Sequence, residues 1–380
     1  MSAGRHALAA PSRGHHFSEP CPACVWYRAG VVALAGFDLD EAAQAADSGV
    51  IEPDAGPRQA DAGPEQAPGS LARLPDSAER VEDYAGRSKS EATIRAYAAG
   101  WRDFLAFCGQ RGASALPTSD QTVAAYLAAL ADRGAKAATI ARRLVVISQA
   151  HKAADLPSPT TSSLVSRTHA GIRRALGTAQ QGKAPALVED LKHMLEQLPS
   201  TRVGLRDRAL LLLGFAGAFR RSELVSLDVA DLEFVRAGLI VTLRKSKTDQ
   251  EGRSRRLGIP FGSSEQTCPV RSLQAWLETA RIMEGPVFRS LDRFQRVQSQ
   301  RLSDKAVALI VKRRAKAVGL DPARYAGHSL RAGLATSAAA AGASERVIMS
   351  QTGHRSADMV RKYIREGNLF TSNPAAMVGL

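Results

Sequence analysis

The 380-residue chain has little cysteine and no long apolar segment. Its four cysteines are too few and too widely scattered for the disulfide framework of a small secreted domain. No continuous apolar span is long enough for a membrane helix, and no basic-then-apolar leader with a cleavage site opens the sequence. We therefore predict a soluble cytoplasmic protein that does not associate with a membrane.

Two of the cysteines have a spacing that metal sites use. Cys21 and Cys24 are separated by two residues, and His15 and His16 lie just upstream, whereas Cys108 and Cys268 are far away. Structural zinc needs four ligands in register, so a single CxxC pair with two histidines is weak support for a metal site. A chance pair in a mobile arm is the better explanation, and we predict no metal.

Acidic residues are scarce relative to basic ones. Lys and Arg exceed Asp and Glu by 14, which favours attraction to a polyanion such as nucleic acid. The excess is uneven, because residues 1–70 hold four Arg and nine acidic residues and the remainder carries +19. A well-solvated basic surface is the alternative explanation of the charge taken alone.

Composition and periodicity divide the chain into an arm, two folded units and a tail. Residues 1–75 contain a stretch rich in Pro and Gly and are predicted to be a disordered or poorly ordered arm. Residues 76–178 are predicted to be helical throughout, and 179–187 to form a linker. Residues 188–366 combine helices with a short strand pattern, and 367–380 are an apolar tail. The predicted fold class is mainly α with a small β-sheet (α+β).

The helices of the first unit combine apolar stripes with cationic faces. Apolar residues recur at three- and four-residue steps after Ser90, after Ser119 and around Ile140. Aromatic residues such as Trp101 fit a helix core better than base stacking. A bundle with cationic faces fits a clamp on the DNA backbone, because phosphate contacts supply much of the affinity. The predicted DNA-binding residues here are Lys136, Thr139, Arg142, Arg143, Arg173 and Arg174.

An arginine pair follows the most apolar helix of the second unit. The helix at 206–214 contains four consecutive leucines and is predicted to be buried, and a new helix capped by Ser222 follows it. An arginine at such a junction can be held rigidly. Arg220 and Arg221 are both candidates for a functional cation.

Alternating apolar and polar residues then predict a β-hairpin. The alternation runs through 239–244 and resumes at 256–259, on either side of a polar turn. Lys245 and Lys247 lie near the tip of this hairpin. They are predicted to reach into a groove and to meet a phosphate or a leaving oxygen.

A histidine, an arginine and a tyrosine stand close together near the C-terminus. His328 and Arg331 are three residues apart at the start of a predicted helix, 329–341, so their side chains share one face. Tyrosine is a weak nucleophile at its usual pKa of about 10 and needs cations close by to be activated. Tyr363 and these residues therefore predict a nucleophile directed at a phosphodiester.

Gly353 makes the spacing between His354 and Tyr363 workable. Nine residues along one continuous helix would direct the two side chains to opposite sides. Gly353 instead ends a short helix at 344–351, and Ser356 caps a second helix that carries the tyrosine.

In this order and at these intervals, the residues resemble the tyrosine recombinases, also called phage integrases. The resemblance covers residues 76–366, and the Lys-Ser-Lys-Thr hairpin and the Tyr-Ile-Arg ending look closest to the Cre-like branch. It implies a SAM-like core-binding domain followed by a catalytic domain. The six matching catalytic positions are Arg220, Lys247, His328, Arg331, His354 and Tyr363. Arg220 is preferred over Arg221 because it lies three residues before Glu223, the supporting acid of the family.

The resemblance implies that Tyr363 attacks the scissile phosphate, forming a 3′-phosphotyrosine and releasing a 5′-hydroxyl, without ATP, metal or other cofactor. Arg220 and Arg331 would bind the non-bridging oxygens. Lys247 would protonate the leaving oxygen. The histidines would act in proton transfer from the tyrosine (His328) and in donation to a phosphate oxygen (His354).

The partners implied are double-stranded DNA with specific recombination sites and three further copies of the chain, in a nucleoid-associated tetramer on two sites. The tail at 367–380 would dock into a neighbouring protomer, with a frayed terminus as the alternative. Two other functions remain possible at this point. They are a type IB topoisomerase and a non-catalytic DNA-binding protein with the same fold.

Overall fold

A computed structural model describes two compact units that divide between Gln180 and Gln181. The division falls inside the predicted linker, whose bounds remain a prediction. The predicted arm with Cys21 and Cys24, the hairpin tip with Lys245 and Lys247, and nearly all of the tail lie outside the described residues. The described residues are Arg80, Tyr84, 88–179, 182–244, 254–367 and Val378.

The first unit is helical, as predicted. Three of its helices are capped by serines, because the hydroxyls of Ser90, Ser119 and Ser162 each accept a backbone N–H from the first turn. Lys136 occupies the cap position of the other and makes no side-chain cap bond. The helices are α1 (Glu91–Gly109), α2 (Asp120–Asp132), α3 (Ala137–Ala153) and α4 (Ser163–Leu176).

Aromatic side chains occupy the core of this unit. Trp101, Phe104 and Tyr126 are buried, and the rings of Phe104 and Tyr126 meet edge to face with centroids 5.0 Å apart. The hydroxyl of Tyr126 donates to Asp103 at 2.5 Å. The prediction that the aromatic residues of α1 belong to the core is confirmed.

The second unit packs its other elements around one largely buried helix, Arg202–Ala216. Its helices are α5 (Val188–Glu196), α6 (Arg202–Ala216), α7 (Arg221–Ser226), α8 (Pro269–Ala280), α9 (Asp304–Ala317), α10 (His328–Ala340), α11 (Glu345–Thr352) and α12 (Ala357–Gly367). The four leucines of α6, Leu210 to Leu213, are all buried, as predicted.

The predicted hairpin belongs to a larger sheet. Strands β1 (Leu232–Val235), β2 (Gly238–Leu243) and β3 (Arg255–Pro260) are antiparallel in that order. The inward residues of β2 are the predicted ones, but β1 is absent from the prediction because it is short and half exposed. A second sheet, β4 (Arg289–Leu291) with β5 (Val297–Arg301), was also missed, since its polar residues give no alternation.

The prediction that Ser222 caps α7 is wrong. The helix begins at Arg221, and Arg220 occupies the cap position in extended conformation. The side chain of Glu223 accepts the backbone N–H of Arg220 at 2.8 Å, so the carboxylate takes over the capping role.

Gly353 ends α11 as predicted. It has a φ of +66°, in the left-handed region that favours glycine, and its N–H donates to the carbonyl of Met349. The chain then turns and α12 begins at Ala357. No helix among the described residues is long and apolar enough to cross a membrane.

Candidate active site

Arg331 lies at the centre of the candidate site. It is on α10, is 1% exposed, and donates from Nη1 to the carbonyl of Ala218 at 2.7 Å. Within the described part of the chain, its Nε and Nη2 are buried without a hydrogen-bond partner. Burial, and next the nearby charge of Arg220, lower the pKa of Arg331 to about 10. A buried guanidinium with unused donors is suited to bind an anion.

Glu223 holds Arg220 at the edge of this cluster. Its buried carboxylate accepts from Nη1 of Arg220 at 2.5 Å as well as from the backbone N–H. Arg221 instead lies 3.8 Å from Asp304 with a side chain that is 42% exposed. The structure thus brings Arg220 into the cluster and leaves Arg221 outside it.

Tyr363 is buried against the same helix that carries Arg331. It lies on α12, is 5% exposed, and its hydroxyl is 3.5 Å from Nε2 of His328. Burial raises the pKa of Tyr363, while the positive charge of Arg331 acts in the opposite direction. The tyrosine and the cations around it come from one chain.

His354 packs beside the tyrosine. The two ring centroids are 5.8 Å apart, and Nδ1 of His354 is 2.8 Å from Oγ1 of Thr352. Burial first, and then the charges of Arg331 and Arg220, lower the pKa of His354 to about 4. The imidazole of the free protein is therefore neutral near pH 7.

Arg255, which the sequence analysis missed, belongs to the same cluster. It opens β3 and is half-buried, and burial lowers its pKa, opposed by Glu223. Its Nη1 lies 3.5 Å from the carbonyl of Ser350, and a Cβ on Gly353 would come within 2.1 Å of that nitrogen. The alternation of side chains along β3 could have identified it, because Arg255 lies on the same strand face as the buried Leu257.

Two of the predicted site residues are lysines of the segment between β2 and β3. Lys247, the predicted general acid, and Lys245 lie outside the described residues. β2 ends at Leu243 and β3 begins at Arg255, so the segment that carries both lysines starts and ends at the three-stranded sheet.

The predicted DNA-binding residues of the first unit differ in exposure. Lys136, Arg142, Arg173 and Arg174 are exposed, and Thr139 is half-exposed. Arg143 is largely buried, with its Nε 3.8 Å from the carboxylate of Asp103. The exposed four are available to a polyanion, whereas Arg143 already lies against an acid of its own bundle.

The low pKa of His354 predicts a pH dependence of stability. Its ordinary value is 6.5 and its value in the folded protein is about 4, so the unfolded chain takes up a proton first as the pH falls. Above pH 6.5 the protonation of His354 does not change the free energy of unfolding. As the pH falls from 6.5 to 4, it lowers that free energy progressively. We expect wild-type protein to lose stability relative to His354→Gln across this window, measured as the urea midpoint at each pH. A constant difference would contradict the assignment.

Comparison with known proteins agrees with the fold and identifies the family. The family model described as phage integrase family matches residues 187–368, and the phage integrase N-terminal SAM-like domain matches 82–154. A xerD homolog described as an integrase/recombinase from Selenomonas ruminantium is 44% identical over 291 residues, which are 76% of this chain and 85% of that protein. A tyrosine recombinase XerC from Corynebacterium glutamicum is 30% identical over 74% of this chain and 83% of its own length.

Solved structures have the same fold at low sequence identity. XerH recombinase in a post-cleavage complex with its difH substrate has a TM-score of 0.58 at 16% identity, over 80% of this chain and 85% of that one. A lambda integrase dimer bound to a core site has a TM-score of 0.51 at 20% identity, over 78% of this chain and 95% of that one.

The chain belongs to the phage integrase family, the tyrosine recombinases. These matches confirm the predicted family, the mainly helical two-domain fold and the enzyme class, site-specific DNA recombination. The relatives carry Xer names, so the finer resemblance to the Cre-like branch stays a prediction.

Proposed function

We propose that Tyr363 cleaves one strand of a specific double-stranded DNA site and that the chain exchanges strands between two such sites. The observation that carries the proposal is the juxtaposition of a buried tyrosine with the buried, partly unpaired guanidinium of Arg331. A scissile phosphate would supply the missing hydrogen-bond acceptors for Nε and Nη2. The same charge would be most needed as the pentacoordinate phosphorus forms.

The cleavage step follows from these positions. The Oη atom of Tyr363 attacks the phosphorus, a Tyr–O–P bond forms, and the bond from phosphorus to the 5′-oxygen breaks. His328, 3.5 Å from Oη, takes the phenolic proton. Lys247, which lies outside the described residues, gives a proton to the departing 5′-oxygen, the role that the family resemblance implies. One phosphoester replaces another, so religation by a 5′-hydroxyl is the reverse of the same step.

The roles of the remaining cations follow from their neighbours. Arg220, held by Glu223, binds a non-bridging oxygen together with Arg331. Lys245 and the exposed Lys136, Arg142, Arg173 and Arg174 contact the DNA backbone. The chain would then work at the nucleoid, in the cytoplasm.

A nicked suicide substrate tests the proposal. Cleavage near the nick releases a short fragment, so a covalent protein–DNA adduct accumulates, and mass spectrometry of the digested adduct should locate the DNA on Tyr363. DNA from the ends of a mobile element of the source is the first substrate to try, with scrambled DNA of equal length as the control. An adduct on another residue would overturn the assignment. Relaxation of supercoils by monomers without site preference would favour a topoisomerase.

We also propose that four protomers assemble on two sites and that residues 367–380 dock into a neighbour. The tail includes Leu369, Phe370, Met377 and Val378 and carries no charge, and exposed Val378 is 73% accessible. Since Gly367 still packs on α10, truncation belongs after it: deleting 368–380 should leave DNA binding and cleavage and impair synapsis. Native gels with paired sites measure this, and undiminished synapsis would contradict the proposal.

A further inference from the structure

The hydroxyl of Thr352 links the ring of His354 to the backbone of α11 through two short polar contacts. Oγ1 of Thr352 lies 2.7 Å from the carbonyl oxygen of Ile348 and 2.8 Å from Nδ1 of His354. Thr352 is 1% exposed and sits in the last turn of α11, immediately before Gly353. Water cannot easily replace either contact at that burial.

The number of protons in these contacts determines the direction of each one. A hydroxyl carries one proton, and a carbonyl oxygen can only accept. Two oxygens 2.7 Å apart need a proton between them, so the hydroxyl of Thr352 donates to Ile348. It then has only lone pairs to offer His354, and Nδ1 must be the donor in the second contact.

We propose that Thr352 holds His354 in the tautomer protonated at Nδ1, so that Nε2 is a hydrogen-bond acceptor in the free protein. Thr352 is a positioning residue, since it acts through the histidine. The proposal rests on the proposed function only in taking His354 as part of the reacting site.

The consequence revises the role that the family resemblance implies for His354. A neutral imidazole protonated at Nδ1 cannot donate from Nε2, so donation to a phosphate oxygen requires a second proton, taken from water. The cations that face the ring all oppose that uptake. They are Arg331 on α10, Arg220 before α7 and Arg255 on β3, joined by His328 on α10 when it is protonated, while Tyr363 on α12 is neutral. The incoming phosphate brings the negative charge that favours the uptake.

Nuclear magnetic resonance of the free protein tests the tautomer directly. Full-length protein with ¹⁵N-labelled histidine is compared with His354→Gln, which identifies the signals of His354 near pH 7. We expect a protonated Nδ1 and an unprotonated Nε2 in wild type and in Thr352→Ser. In Thr352→Val, which has the same shape without a hydroxyl, the proton should move at least partly to Nε2. A wild-type spectrum with the proton on Nε2 overturns the proposal, as does an unchanged Thr352→Val spectrum.

The pH profile of strand cleavage gives an independent readout. In wild type and Thr352→Ser, cleavage on the suicide substrate should lose rate as the pH rises through the pKa of His354 in the DNA complex. Thr352→Val should lack this limb, because its neutral ring can donate from Nε2. Parallel profiles for all three proteins would count against the proposal. The tautomer measurement uses no DNA, so a protein that forms no adduct would overturn the proposed function and leave the tautomer result standing.

Discussion

Replacing Tyr363 with Phe is expected to lower the rate of strand cleavage by a factor on the order of 10⁴ or more, as loss of a covalent nucleophile does elsewhere. The substitution removes only the hydroxyl, whose described neighbour is Nε2 of His328 at 3.5 Å. The ring stays buried beside α10, so the fold and DNA affinity should be retained. The measurement is single-turnover adduct formation on the suicide substrate, together with a binding isotherm.

Tyr325→Phe is the matched control for this experiment. Tyr325 is another buried tyrosine of the same unit, and its hydroxyl donates to Asp190 on α5 at 3.2 Å and not to a residue of the catalytic cluster. Cleavage by this variant should stay within a few-fold of wild type. Adduct formation that survives in Tyr363→Phe would refute the nucleophile assignment, whereas loss in both variants would point to a general effect of removing a buried hydroxyl.

Replacing Asp207 with Ala is expected to reduce the free energy of unfolding of the second unit by about 3–5 kcal/mol. Asp207 on α6 is completely buried and accepts from two arginines. Arg206 donates to one carboxylate oxygen at 2.8 Å, and Arg314 on α9 donates to the other at 2.5 Å. Removing the carboxylate leaves two buried guanidinium groups without their counter-charge.

An exposed ion pair provides the control. Arg256 and Glu233 are 2.8 Å apart with side chains 64% and 60% exposed, so Glu233→Ala should cost less than about 1 kcal/mol. Hydrogen exchange of the α6 and α9 amides separates the second unit from the first. Equal protection of α6 in Asp207→Ala and wild type would show that the buried cluster contributes little. Partial recovery in Asp207→Leu with both arginines replaced by Met would support the charge argument.

The helices could be predicted because their signals are local. Ser90 and Ser344 are followed by apolar residues at helical spacing. Gly353 marks a helix end, because glycine is favoured at the left-handed φ that ends α11. The cap of α7 could not be read in this way, since it is made by Glu223 acting on the preceding backbone. β4 and β5 escaped because their polar residues give no alternation of burial, and their pairing depends on residues distant in sequence.

The sequence predicted which residues belong to the candidate site better than it predicted how they are arranged. The order of Arg220, His328, Arg331 and Tyr363 along the chain indicated a family, and the spacing to Glu223 favoured Arg220 over Arg221. The sequence did not show that Glu223 would accept from both the guanidinium and the backbone N–H of Arg220. Arg255 is placed at the cluster by strand pairing, and its contact with the carbonyl of Ser350 on α11 spans 95 residues of sequence. Thr352 gave no signal in the sequence, because its importance lies in the direction of its hydrogen bonds to Ile348 and His354.

Among the described residues, Nε and Nη2 of Arg331 have no hydrogen-bond partner, which lowers the stability of the free protein but leaves both donors available to bind a phosphate. An ionised group that is buried and incompletely hydrogen-bonded makes the free chain less stable than an apolar side chain of similar size would, and burial also lowers the pKa of Arg331 to about 10. Any oxyanion that occupies the position therefore acts as a folding ligand and raises the unfolding free energy by mass action. The free energy of unfolding is therefore highest when the site holds the phosphodiester that the enzyme is about to cleave.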